Sequence, residues 1–191
     1  MKNTSDTRSR ILDVAQDMVQ RQSISGVSFQ ELANQIGIKK GSMYYHFESK
    51  DELSIALLER NAADLKASFE RGESKSATKR LKYFLAIYRD IIIPGKRMCP
   101  GGAFASEWEK VSEPVKKSVN KVLNTQFKGV EDILTAGIEA KEFNSHDRPA
   151  KELALWIMSC LQGSLVLCRV EENQAPFDAA VATIESYLGM T

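Results

Sequence analysis

Residues 28–50 read Ser-Phe-Gln-Glu-Leu-Ala-Asn-Gln-Ile-Gly-Ile-Lys-Lys-Gly-Ser-Met-Tyr-Tyr-His-Phe-Glu-Ser-Lys. Two short helices joined by a glycine turn account for this pattern. Ser28 stands where a helix N-cap is wanted, and Phe29, Leu32, Ala33 and Ile36 then fall on one helical face. Gly37 is placed to end that helix, because glycine accepts the left-handed conformation of a helix terminus. A second helix, about two turns long, is predicted from about Lys40 to His46. The small Ala33 lets the two helices approach, and Ile38 can fill the space between them. The arrangement is a helix-turn-helix.

The flanking sequence supplies the rest of a helical chain. Upstream, Ile11, Leu12, Ala15, Met18 and Val19 mark one face of a first helix, with Thr4 or Ser5 as its N-cap and Gly26 as a break after it. Downstream, Ser49-Lys50-Asp51-Glu52 is a capping-box pattern that opens a long fourth helix with Leu53, Ala56, Leu57 and Leu65 inward. The polar stretch Arg71 to Ser76 is the best boundary candidate by composition. A further helix carries Leu81, Phe84, Leu85, Tyr88, Ile91 and Ile92 and stops at Pro94-Gly95. Met98 to Gly102 reads as a loop and Phe104 to Lys110 as a short helix. A long helix follows Pro114, and a turn follows at Asn144 to Pro149 with Asp147 as N-cap. Two last helices cover roughly Arg148–Glu172 and Pro176–Gly189. The fold class is all-α, with about nine helices and no convincing strand.

Composition excludes several functions. The chain has 191 residues and a formal net charge of +1, so a grossly basic nucleic-acid coat protein is excluded. Residues 1–50 hold seven Lys/Arg against five Asp/Glu, a skew too weak to argue for DNA by itself. Three cysteines, Cys99, Cys160 and Cys168, and two histidines, His46 and His146, have no metal-ligand spacing, so no metal is expected. They suit a reducing compartment. No apolar signal segment opens the sequence, and Leu153–Val170 is interrupted by Ser159, Gln162, Gly163, Ser164 and Arg169. The expectation is a cytoplasmic protein with no membrane span. No GxSxG, P-loop, HExxH or paired-histidine motif is present, so neither an enzyme nor a cofactor is implied. Glu107, Glu109 and Glu113 read as a solvated helix face.

Taken together, Ile11-Leu12…Ala15, Ser28…Leu32-Ala33…Gly37, Gly41-Ser42-Met43-Tyr44-Tyr45-His46-Phe47 and Ser49-Lys50-Asp51-Glu52-Leu53 resemble the TetR family of transcriptional regulators. Ser42 and Met43 depart mildly from that family's pattern. The resemblance implies a DNA-binding helix-turn-helix domain over 1–50, with an effector-binding and dimerisation domain over 51–191. It implies that Ser28 holds a phosphate, that Tyr44 and Tyr45 lie on the DNA backbone, and that Lys50 neutralises a phosphate. Lys39, Lys40 and Ser42 become the base-facing candidates. His46 either caps its own helix or touches a phosphate.

The family further implies a sensor cavity and a two-fold dimer. Phe84, Tyr88, Phe104, Trp108, Phe127, Trp156 and Met158 are the candidate cavity lining, each also suited to plain core. Cys99 joins them: it follows Lys96 and Arg97, precedes a helix, and lies in a Cys-Pro-x-Gly-like segment that a subset of the family carries. It reads either as a structural residue or as a thiol open to electrophiles and oxidants. The apolar Leu153–Val170 helix and the last helix are expected to form the dimer interface, through Leu161, Gly163, Leu165, Ile184 and Leu188. The implied function is a ligand-responsive repressor, released from a palindromic operator in double-stranded DNA by a small-molecule effector or by modification of Cys99. The alternative is a helical adaptor that uses the helix-turn-helix only for packing.

Overall fold

The computed structural model describes the backbone of residues 4–92 and 97–190 and the side chains of 6–90 and 97–190. The expected cap at Thr4 or Ser5, the inward Ile91 and Ile92, and the stop at Pro94-Gly95 lie outside these described residues and side chains. Among the described residues the helices are α1 (Thr4–Gln22), α2 (Phe29–Ile36), α3 (Lys40–His46), α4 (Lys50–Gly72), α5 (Ala77–Ile92), α6 (Pro100–Ala105), α7 (Glu113–Glu139), α8 (Ala150–Glu171) and α9 (Ala175–Leu188). A 3-10 turn spans Trp108–Lys110. The protein is all-α, as its periodicity requires. The chain falls into two compact units, Met1–Ala62 with Pro100–Val122, and Ala63–Cys99 with Leu123–Thr191, so α4 and α7 each contribute to both.

The first unit is built on α1. Its apolar row Ile11, Leu12, Ala15, Met18 and Val19 is buried, together with Leu32, Ala33 and Ile36 of α2, Met43 of α3, and Leu53, Leu57 and Leu58 of α4. Each large side chain so buried contributes about 1.5–3 kcal/mol against exposure. Arg60 ties α4 to α1 through Asp13 Oδ1 at 2.7 Å and Gln16 Oε1 at 3.0 Å. One expectation is corrected in the 100–110 region. The helix begins at Pro100, not Phe104, because a proline with its fixed φ suits the first helical position. A second correction concerns Glu107, which is no solvated residue. Its carboxylate accepts the Ser25 backbone N–H at 2.9 Å, in the turn that follows α1.

The second unit packs α8 against α5 and α9. Leu153, Ala154, Ile157, Leu161, Leu165 and Cys168 of α8 are buried with Phe177, Ile184 and Leu188 of α9 and Leu81, Phe84 and Tyr88 of α5. By length and apolarity α8 could cross a bilayer, with mean hydropathy 1.6, yet this buried row makes it the unit's core helix. Burial pushes the Cys168 thiol above its ordinary range, which keeps it protonated and unreactive. Cys160 is only half-buried. The start of α8 differs from expectation. Asp147 does not cap it: His146 and Asp147 both have left-handed backbones, φ 49° and 61°, and Pro149 takes the N-cap position. The two left-handed residues turn the chain before the helix can start. Glu142 caps α5 instead, accepting the Thr78 N–H and hydroxyl at 2.8 Å each, and these bonds hold its carboxyl below the usual range.

Gly137 of α7 carries the Phe143 ring on its bare backbone, and a Cβ there would overlap that ring. Phe143 is buried in the second unit's core. Gly137→Ala is therefore expected to destabilise the protein by about 1–3 kcal/mol, because the displaced ring overpacks its surroundings. Urea unfolding of the variant against the parent measures it, with an unchanged midpoint as the contrary result.

Candidate functional site

The helix-turn-helix is assembled as its residues dictate. The Ser28 Oγ accepts the Glu31 N–H at 3.1 Å and so caps α2, which leaves its own O–H free to donate. Gly37 adopts φ 75°, and the chain closes with Ile38 N–H donating to Ala33 O at 3.0 Å. Only Met43 of α3 is buried, followed at once by buried Phe47. With those two facing in, Lys39, Lys40, Ser42, Tyr44 and Tyr45 face solvent. Tyr44 rests edge-on against Phe29 of α2, ring centres 5.2 Å apart, and this fixes its direction. Tyr45 is 78% exposed, its ring edge-on to His46 with centres 5.3 Å apart. His46 and Lys50 are half-buried.

A groove with a volume of about 470 Å³ gathers Ser28, Lys40, Tyr44 and Lys50. The N-termini of α2 and α4 both open on it, since Ser49 caps α4 through the Glu52 N–H at 3.1 Å. Two helix N-termini, two ammonium groups and the hydroxyls of Ser28, Tyr44 and Ser49 make a site for anionic oxygen. Glu48 is the carboxylate in this lining. Lys39, Ser42, Tyr45 and His46 lie outside the groove, on the rest of α3 and its flanks. Sequence reading missed two supports. Arg10 of α1 donates to the Ile36 carbonyl at 3.1 Å, closing the end of α2, and Arg8 lies 4.7 Å from the centre of the Phe47 ring. Neither was legible, because the partners stand far apart in sequence. The capping box is also shifted: Glu52 accepts the N–H of Glu48 rather than that of Ser49.

The expected cavity residues divide between the units. Phe84, Tyr88 and Cys99 are buried together in the second, with Met158 in the same core and Phe127 half-buried against it. Trp156 is half-buried and packs on Tyr187 at 5.0 Å. Phe104 and Trp108 belong to the first unit, where Phe104 is buried and Trp108 lies 5.4 Å from the Lys116 ammonium. What gathers around Tyr88 is a polar cluster. Its O–H donates to Gln126 Oε1 at 3.2 Å and accepts from Gln162 Nε2 at 3.0 Å, while Gln126 Nε2 donates to the Cys99 Sγ at 3.4 Å. Burial, and then the neighbouring Cys99, push the Tyr88 phenol well above its ordinary range. Cys99 itself is fully buried. Gln126 was invisible in sequence, although a buried tyrosine always raises the question of its partner.

Residues 11–57 match the family described as bacterial regulatory proteins, tetR family, and residues 94–183 match the transcriptional regulator LmrA/YxaF-like C-terminal domain. The chain belongs to the TetR family. It is a helix-turn-helix transcriptional regulator rather than an enzyme or a helical adaptor. The repressor DhaR of Mycobacterium sp. (strain GP1) is 23% identical, over 93% of this chain and 89% of that one. The regulator LmrA of Bacillus subtilis (strain 168) is 23% identical, over 90% of each. Among solved structures, a TetR-family regulator from Agrobacterium tumefaciens superposes with a TM-score of 0.90 at 20% identity, over 97% of this chain and 99% of that one. This last likeness shows the fold.

Of the five dimer candidates in this TetR-family chain, Leu161, Leu165, Ile184 and Leu188 lie in the subunit's own core. Gly163 lies on the exposed side of α8, where a Cβ would meet nothing within 4 Å. That side carries a stripe that sequence reading did not separate: Leu155, Ser159, Gly163, Val166, Leu167 and Val170, all exposed. Period alone marked α8 as apolar all round and could not say which row faces inward.

The Tyr88 cluster is expected to make the protein's stability sensitive to alkali. Because the folded phenol titrates above its ordinary value near 10, its contribution is full below that value and declines as pH rises through it. Unfolding free energies followed from about pH 8 to about pH 11 should fall more steeply for the parent than for Tyr88→Phe. Parallel curves would contradict this.

Proposed function

We propose that this regulator is a homodimeric repressor that binds a palindromic operator in double-stranded DNA and leaves it when a small-molecule effector binds. The observation that carries the reading is the groove that collects Ser28, Lys40, Tyr44 and Lys50 beneath two helix N-termini. Such a groove suits a DNA phosphate, which would set α3 in the major groove with Lys39 and Ser42 toward the bases. Tyr45 and His46 then flank the backbone contact. Residues 1–50 do the reading, and 51–191 hold the sensor and the dimer contact. The relative DhaR is a repressor, which supports this sign of regulation.

A seven-residue reading helix touches too few bases to select a site alone, so two copies on paired half-sites are needed. The exposed stripe of α8 supports such pairing, because Leu155, Val166, Leu167 and Val170 leave an apolar surface open to water. Effector and operator oppose each other through one coupling free energy, so each weakens the other's binding. Full burial of Cys99 and its contact with Gln126 favour a structural place for that thiol over modification as the route of release.

Selection of bound duplexes from a random pool should yield a palindrome. On that duplex Tyr44→Ala with Lys50→Ala is expected to lose affinity at least ten-fold, and the salt slope should fall by about 0.9 for each phosphate contact removed. Unchanged affinity in a folded double variant would refute the site. Leu167→Glu is expected to turn a dimer into a folded monomer in sedimentation equilibrium. A persistent dimer would place the interface elsewhere.

A further inference from the structure

The second unit holds a cleft of about 350 Å³ that none of the expected sensor residues except Phe84 touches. It lies between the end of α4, the first half of α5, and Ile133 of α7. Its interior is apolar: Phe84 and Ile133 are buried, and Phe69 and Ile87 are half-buried. Phe69 stacks on Phe84 with ring centres 5.7 Å apart. The Phe69 ring sits against Gly129, where any Cβ would overlap it, so a bare backbone holds this wall in place.

The rim has one sign of charge. Arg71, Lys75, Lys79 and Arg80 line the cleft, and no Asp or Glu lines it. Four cations around one apolar hollow repel each other and raise the local concentration of anions. Arg80 adds a specific donor. Its stem packs against Gly72, and its Nε is shielded from solvent with no hydrogen-bond partner. Arg80 is half-buried on the cleft wall, so its charge acts there through less solvent than a fully exposed cation's. A guanidinium prefers a flat, two-oxygen acid group as partner.

We propose that this cleft binds an amphiphilic organic anion, its acid group on Arg80 and its apolar body against Phe69, Phe84 and Ile133. The volume falls in the range of small-molecule sites and suits a molecule with a short chain or one or two rings. This goes beyond the effector reading by naming a site and a chemical class. It rests on that reading only for what binding does to DNA, and the binding itself is measured without DNA.

The probe is octanoate, titrated into the full-length protein by calorimetry, beside octan-1-ol and octylamine. Saturable binding of one octanoate per chain is expected, at least ten-fold tighter than octan-1-ol and weakened by salt, with octylamine bound more weakly still. Arg80→Gln should bring octanoate down to the level of the alcohol. Ile87→Trp, which fills the hollow, should abolish binding of both. Equal affinity for octanoate and octan-1-ol, absence of saturable binding, or full octanoate affinity in folded Arg80→Gln would each overturn the proposal. If Arg80→Gln does not fold, Lys75→Gln with Lys79→Gln on the exposed rim decides: a loss of at least three-fold supports the site, and none overturns it. Operator binding by the same preparation is scored separately, so a failed cleft and a failed repressor reading give different results.

Discussion

Everything this protein does to DNA depends on holding a helix that cannot hold itself. That helix, α3, is seven residues long and has no side-chain cap at its N-terminus. A helix that short is unstable in water. It persists because Met43 and Phe47 are buried to the last atom and because the turn at Gly37 delivers it against its neighbour. Arg10 on the Ile36 carbonyl and the Phe29–Tyr44 ring contact lock the same corner. Since two residues alone anchor the helix inward, nearly all its other side chains are released to solvent. The anchoring that makes the helix possible is also what leaves its outer face exposed.

Charge works locally in both units. The net charge of +1 is an average over surfaces of very different character. In the first unit Lys40 and Lys50 meet at one groove beneath two helix N-termini. In the second, four cations surround an apolar cleft. Glu48 shares the first groove, while other carboxylates are occupied elsewhere: Glu142 caps α5, Glu107 holds Ser25, and Asp13 pairs with Arg60. Local fields of this kind guide anionic partners without raising the net charge.

The helix-turn-helix was legible in detail because its signals are local. Ser28 as cap, Gly37 as stop and the Lys40–His46 helix all follow from neighbours within four residues. The second unit was legible only as apolar period. Phe84, Tyr88 and Cys99 were marked as cavity lining and lie in one buried core, yet Gln126 and Gln162, which bind the Tyr88 hydroxyl, stand 38 and 74 residues away from it. Phe104 and Trp108 carry the same aromatic signal as Phe84 but lie in the other compact unit. The expected Asp147 cap failed for a related reason: the backbone conformation of the turn, not the residue type, chose Pro149.

By itself, then, the sequence determined the class, the helix boundaries to within a few residues and the family, because periodicity, caps and glycine stops act over one or two turns. Tertiary structure alone decided which row of α8 is core and which is open, placing Leu161 and Leu165 inside and Leu155, Val166, Leu167 and Val170 outside. It alone brought Arg71, Lys75, Lys79 and Arg80 to one apolar hollow and left one guanidinium nitrogen without a partner. A helix apolar on every side gives no azimuth, and a cation on an exposed face gives no address. Both are set only when distant segments pack, because burial and charge clustering are properties of neighbours in space.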